Sequence, residues 1–168
     1  MGATPAAIAG VPVALHRGED DLPFVRFDAA AGFLERGRMD LQLLQVDVEA
    51  GLWVVRTRFA PGTRVQRHRH TGEVFAVTFS GSWVYLEYPD SVNTAGSYLF
   101  EPAGSIHTLD VPSSNTEDTD VWFAIRGANL NLDVAGNFES VLDAGTIAEV
   151  YLAMCSGMGI GRPDVIGI

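Results

Sequence analysis

The chain has 168 residues, with 11 cationic and 21 acidic side chains and a formal net charge of −10. Every cation is arginine; there is no lysine, one cysteine (Cys155) and four histidines (His16, His68, His70 and His107). The missing lysine excludes Schiff-base chemistry and a P-loop lysine, the single cysteine excludes an internal disulfide, a cysteine-rich zinc site and an iron–sulfur cluster, and the acidic excess opposes binding to nucleic acid.

A metal site in this chain must therefore be built from imidazole and carboxylate. The length suits one domain. With 47% hydrophobic and 19% charged residues the chain can bury a substantial core. No apolar run approaches the ~18–20 residues of a membrane span. The opening MGATPAAIAGVPVALH lacks a basic region and holds two prolines. It reads as a mature N-terminal segment, and a cytoplasmic location is the expectation.

In chain order, FDAAAGFLERG over 27–37 predicts a short N-terminal helix with Asp28 as N-cap. DLQLLQVDV and LWVVRTRF, separated by Glu49-Ala50-Gly51, predict a β-hairpin. Ala60-Pro61-Gly62 then signals a turn, and RVQRHRH, VFAVTFS and WVYLEY follow, the last two separated by Gly81. SYLFE, SIHTLDV and DVWFAIRGANLNLD complete a series of short β-branched and aromatic runs punctuated by Gly and Pro. That texture predicts an all-β sandwich or barrel over 39–134, preceded by an N-terminal segment (1–38) and followed by a C-terminal helical segment (135–168). In AGTIAEVYLAMCSG, Ile147, Val150, Tyr151 and Met154 make an apolar stripe, with Asp143 as N-cap and Gly157, Gly159, Gly161 and Pro163 beyond the end. This helix is expected to pack on the barrel or on a partner subunit.

His68 and His70 are two apart in a strand-like segment, which places both side chains on one face with Cα atoms about 6.5–7 Å apart. Two such imidazoles can grip one ion. Three convergent imidazoles suit Zn, Fe, Ni or Cu. His16 reads as a surface residue.

Gly62 precedes His68 with five residues between them, Gly81 closes that stretch, and Gly96-SYLFE-Pro102-Ala103-Gly104-Ser105-Ile106-His107 has the form G-x5-P-x-G-x2-H. Together these resemble the two motifs of the cupin family, G-x5-H-x-H-x3–4-E-x6-G and G-x5-P-x-G-x2-H-x3-N. The resemblance covers Gly62 to about Val111. It implies a single antiparallel β-barrel or jelly roll with a metal held inside by His68, His70 and His107. The pattern departs in two places. The glutamate of the first motif should fall at Val74 or Phe75, whereas Glu73 comes one residue early, and the terminal asparagine of the second motif is Val111. A one-residue shift turns a strand side chain to the opposite face unless a bulge recovers it.

The three-histidine form, with HRHTGEVFAVTFSG, YLFEPAGSIHTLDVP and DVWFAIRGANLNLD, is similar to the 2,4'-dihydroxyacetophenone dioxygenase family and, more distantly, to acetylacetone-cleaving dioxygenase. That resemblance implies Fe(II), with Zn, Ni or Mn as alternatives, and cleavage by O2 of the C–C bond beside a ketone, giving an aryl carboxylate and formate. Glu101, six residues before His107, matches a glutamate near the metal in the diketone-cleaving relative. Glu101 and Glu73 are the candidate proton acceptors. Gln66 is a candidate to orient an imidazole or a bound oxygen species, and Arg64 is expected at the barrel mouth. Candidate pocket walls are Trp83, Tyr85, Tyr98, Phe100, Trp122 and Phe123. Glu87 reads as a solvent-facing strand residue.

Two other functions fit the motifs. HRHTGE is similar to the cupin domain of zinc-binding anti-sigma factors, which makes a zinc-binding sensor module an alternative. Those proteins carry a helical zinc domain in front, and the expectation here is that it is absent, since the segment before the barrel has one His and no Cys. An O2-independent metal-dependent isomerase or lyase is the other alternative. The expected partners are a small ketone and O2, with no nucleic acid and no membrane, in a homo-oligomer, either dimer or tetramer.

Overall fold

The glycine- and proline-punctuated runs become strands. In the computed structural model, which describes residues 9–168, these are β1 (Val25–Asp28), β2 (Leu34–Arg36), β3 (Arg38–Asp47), β4 (Leu52–Phe59), β5 (Arg64–Val65), β6 (His68–His70), β7 (Val74–Ser80) and β8 (Ser82–Tyr85). They continue with β9 (Asn93–Thr94), β10 (Tyr98–Glu101), β11 (Ile106–His107), β12 (Leu109–Asp110), β13 (Thr119–Arg126), β14 (Asn129–Leu132) and β15 (Phe138–Leu142), and a single helix, α1 (Ala144–Gly157), follows. The part of the opening segment that spans residues 1–8 lies outside the described residues. Among the described residues no helix is long and apolar enough to cross a membrane.

Three antiparallel sheets enclose the core. One has the order β1-β3-β4-β13-β7-β10, the second β11-β6-β14-β15 and the third β2-β5-β12-β8-β9. The fold is all-β and antiparallel, as the sequence resemblance implies. The expected hairpin is β3–β4, in register from Met39↔Phe59 to Asp47↔Leu52. Its register shifts between Leu43 and Gln45, so Leu41, Leu43 and Val46 all reach the core although they are not evenly spaced. The C-terminal tail docks at that irregularity: Ile166 accepts from Val46 N–H and donates its own N–H to Leu44 O.

The helix expected over 27–37 is one 3-10 turn, Ala29–Ala31, between two strands. Asp28 does accept from Ala30 N–H, but Gly32 is left-handed (φ 84°) and ends the turn. Phe27 and Leu34 are buried on the flanking strands, so core contacts outweigh the helix propensity of the alanines. The sheets thus extend past both ends of 39–134, through β1 and β2 before it and β15 after it.

Helix α1 has the expected extent. The Asp143 carboxylate accepts from Thr146 N–H at 2.8 Å. Its buried face is Ala144, Ile147, Ala148, Tyr151 and Cys155, and Val150 and Met154 are only partly covered. The Tyr151 hydroxyl donates to Pro23 O at 2.6 Å and ties the helix to the approach to β1. Arginines are paired outside the core, for example Arg56 with Asp120 at 2.7 Å and Arg64 with Asp110 at 2.7 Å.

Gly81, between β7 and β8, has φ 74°, and a Cβ there would lie 2.3 Å from Thr119 Oγ1 and 2.8 Å from Thr119 Cα. Thr119 is fully buried and its hydroxyl is engaged by Asn115 and by Ser82 O, so it has no room to retreat. Gly81→Ala should destabilise the fold by about 2 kcal/mol. A thermal melt should show Tm lowered by roughly 4–8 °C.

Candidate metal centre

Strand pairing brings the three motif histidines together. His107 on β11 is the direct cross-strand partner of His68 on β6, and His70 lies two residues along the same face. All three are buried, and their ring centroids lie 4.8–4.9 Å apart. One nitrogen from each falls within 4.8 Å of the others, which is a three-imidazole set able to hold one ion. His68 places Nδ1 2.7 Å from Gln66 O, so Nδ1 carries the proton and Nε2 is left with its lone pair. Burial, reinforced by His70 and His107, pushes the His68 pKa down to about 3. His68 is therefore a neutral ligand at ordinary pH.

Glu101 completes the cluster from β10. It is 3% exposed, and its Oε2 lies 2.9 Å from His70 Nε2 and 3.1 Å from His107 Nε2. Both approaches are close but poorly aligned for hydrogen bonding, and Glu101 Oε2 and His107 Nε2 keep no hydrogen-bond partner. Ligand atoms about 2.1 Å from one ion and at right angles lie about 3.0 Å apart. The orphaned atoms are thus spaced as neighbouring ligands of a shared cation, and the donor set fits a divalent metal. Burial opposes ionisation of Glu101, but the adjoining imidazoles of His107 and His70 outweigh it and hold the carboxyl well below its usual range.

Tyr85 on β8 fixes both partners. Its hydroxyl donates to Glu101 Oε1, and its ring stacks on His107 at 3.8 Å with an interplanar angle of 16°. Burial, then the negative charge of Glu101, raises the Tyr85 pKa well above that of a free phenol, so it stays a donor.

His68, His70 and Glu101 form one wall of an interior cavity of about 80 Å³, whose lining is largely apolar. Of the six aromatic residues expected as walls, Tyr85 and Phe123 line it. Trp83 is fully buried behind Tyr85, with Nε1 donating to Thr78 Oγ1 at 2.9 Å. Tyr98 and Phe100 are exposed on the outer face of β10, because Glu101 and Leu99 take the inner one. Trp122 likewise faces outward where Phe123 faces in.

Glu73 is exposed and absent from the cavity wall; no bulge turns it inward. Gln66 orients His68 through its main-chain carbonyl, while its side-chain amide donates to Leu132 O and Glu139. Arg64 pairs with Asp110, and Val65 is the β5 residue that lines the cavity, because the strand is interrupted at 66–67. Glu87 accepts from Thr108 N–H and Oγ1. Asn129 of β14 is a polar wall residue that the sequence reading did not single out.

The sequence model of the ChrR cupin-like domain matches residues 28–128. Similar solved structures include a protein of unknown function with a cupin-like fold from Ralstonia eutropha JMP134, with 33% identity over 92% of this chain and 96% of that chain and a TM-score of 0.78. An RmlC-like cupin protein from the same organism shares 28% identity over 89% and 91%, with a TM-score of 0.79. An acetylacetone dioxygenase from Acinetobacter johnsonii shares 18% identity over 90% and 99%, with a TM-score of 0.72, a likeness of fold. No curated protein matches the chain.

His107→Ala removes one of three imidazoles and should reduce bound metal to background, whereas Glu73→Gln should leave it unchanged. Metal analysis of the purified variants, with circular dichroism to verify folding, checks both. Retention of metal by His107→Ala would overturn the ligand assignment.

Proposed function

The chain belongs to the ChrR cupin-like domain family, and on that premise we propose that it is a non-haem Fe(II) dioxygenase that uses O2 to cleave the C–C bond beside the carbonyl of a hydroxyketone. The proposed substrate is an aryl ketone of the 2,4'-dihydroxyacetophenone type, giving an aryl carboxylate and formate. The observation that carries this reading is Glu101, whose buried carboxylate sits against His70 and His107 at the edge of an apolar cavity. Such a site suits a substrate with a chelating oxygen pair at one end and hydrocarbon at the other. The small cavity favours a compact ketone over a larger ligand. Iron is preferred to zinc because O2 chemistry needs a metal that changes oxidation state.

His68, His70 and His107 would hold the ion, with Glu101 Oε2 beside them. Bound Fe(II) would supply Lewis acidity toward the ketone oxygens and a redox partner for O2. Glu101 accepts the proton released as the hydroxyketone becomes its enolate, being ionised and within the cavity wall. Tyr85 holds Glu101 in place through Oε1, which turns Oε2 toward His70 and His107. The apolar walls, among them Phe123 and Ile125, exclude water from the enolate.

A zinc-binding sensing module is the second reading, favoured by the ChrR family match. Metal identity and O2 dependence separate the two.

Metal-free protein loaded anaerobically with Fe(II) should consume O2 when 2-hydroxyaryl ketones or β-diketones are added. Absence of uptake with every such substrate, despite stoichiometric iron, would remove the dioxygenase reading. With iron saturating, Glu101→Gln should lower kcat by about 10²–10⁴-fold, as expected for loss of a general base.

A further inference from the structure

The buried polar atoms without hydrogen-bond partners include two that are chemically complementary. They are His70 Nδ1, a ring nitrogen, and Asn129 Oδ1, an amide oxygen. His70 and Asn129 are direct partners in the β6–β14 pairing. Such partners share one face of the sheet, with Cβ atoms about 4.5–5.5 Å apart. Both residues line the interior cavity.

His70 turns Nε2 toward Glu101 Oε2, at 2.9 Å. A neutral imidazole that offers a lone pair at Nε2 carries its proton on Nδ1. For His68 that proton goes to Gln66 O, a main-chain carbonyl 2.7 Å away. His70 has no main-chain carbonyl as Nδ1 partner. Two other side chains stand nearby. Ser105 O accepts the His70 main-chain N–H, and Ser105 Oγ, itself buried without a partner, lines a second pocket with Tyr85, Glu101 and His107, whereas Asn129 shares both the cavity and the cross-strand position of His70. Asn131, two residues beyond Asn129, donates from Nδ2 to Ser140 Oγ at 3.0 Å.

We propose that Asn129 is the positioning residue for His70, its side-chain carbonyl accepting the Nδ1–H of His70 when the site holds its cation and so fixing the tautomer that presents Nε2. The inference rests on the metal site of the proposed function and is independent of the dioxygenase reaction. Asn129 would then do with a side chain what Gln66 does for His68 with the backbone.

Zinc tests this without any turnover. Zinc affinity is measured by competition with a chromophoric chelator for the wild-type chain and for Asn129→Leu, Asn129→Asp and Ser105→Ala. Asn129→Leu should bind zinc about 10–100-fold more weakly, the usual effect of removing the acceptor behind a ligand histidine. Asn129→Asp, which keeps an acceptor oxygen, should bind within a few-fold of wild type, and so should Ser105→Ala. Nitrogen-15 NMR of the zinc-loaded protein should show a slowly exchanging His70 Nδ1–H in the wild type and in Asn129→Asp. That proton should exchange rapidly in Asn129→Leu, a change that loss of packing alone would not produce while the other histidine signals persist. If Asn129→Leu does not fold, Asn129→Ala is read in its place. Unchanged affinity in the apolar variant, equal loss in the apolar and aspartate variants, or weakening confined to Ser105→Ala would each overturn the assignment. Failure of the wild-type chain itself to bind zinc or iron would instead overturn the metal site on which it rests.

Discussion

β11 is two residues long, yet its pairing with β6 sets His107 opposite His68 and brings a third imidazole to the pair that β6 already carries. Without that pairing, the two motifs would hold their histidines 37 positions apart in sequence with no common ion to bind. The loop that makes it possible is glycine-dependent: Gly104, just ahead of Ser105, has φ 89°, and its N–H donates to His70 O while Ser105 O accepts from His70 N–H. The backbone of the second motif is thus bonded directly to the backbone of the first.

Around this pairing the site is layered. Tyr85 stacks on His107 and donates to Glu101, and Trp83 packs against Tyr85 from behind. A carboxylate this deeply buried would ordinarily be driven to its neutral form. It stays ionised because imidazoles lie against one oxygen and a phenol donates to the other. The acidic excess of the chain is otherwise kept at or near the surface, where Asp110, Asp118 and Asp120 answer arginines. One acid among 21 reaches the histidine cluster, and it comes from the second motif, where the family pattern would have placed one in the first.

Much of the fold was legible because its signals are local. The hairpin of β3 and β4, the helix cap at Asp143 and the glycine breaks follow from side-chain alternation, capping chemistry and left-handed backbone at Gly51 and Gly81. The alanines at 29–31 misled, since helix propensity is weak beside the burial of Phe27 and Leu34 on strands. The aromatic walls were misread for a different reason. Phe100 and Glu101 are neighbours on one strand, as are Trp122 and Phe123, so each pair can send only one member inward. Which member it is depends on the strand's register with β7, where Phe100 stands opposite Phe75 and Glu101 opposite Val74. In β14 the alternation runs against hydrophobic expectation: Asn129 and Asn131 face the histidine side while Leu130 and Leu132 are only half covered.

The sequence by itself singled out the three histidines able to hold a metal, since they fall in register with the glycines and proline of the two motifs. It left Glu73 open as a proton acceptor, and the structure excludes it by placing it, exposed, in the connection between β6 and β7. Only the tertiary structure decided that Glu101 joins the cluster, that Tyr85 holds it there, and that Gln66 acts through its carbonyl. Those roles depend on which way a strand faces and on what a neighbouring strand brings opposite. Both are set by long-range pairing and by the break in strand geometry at 66–67, which no local pattern records.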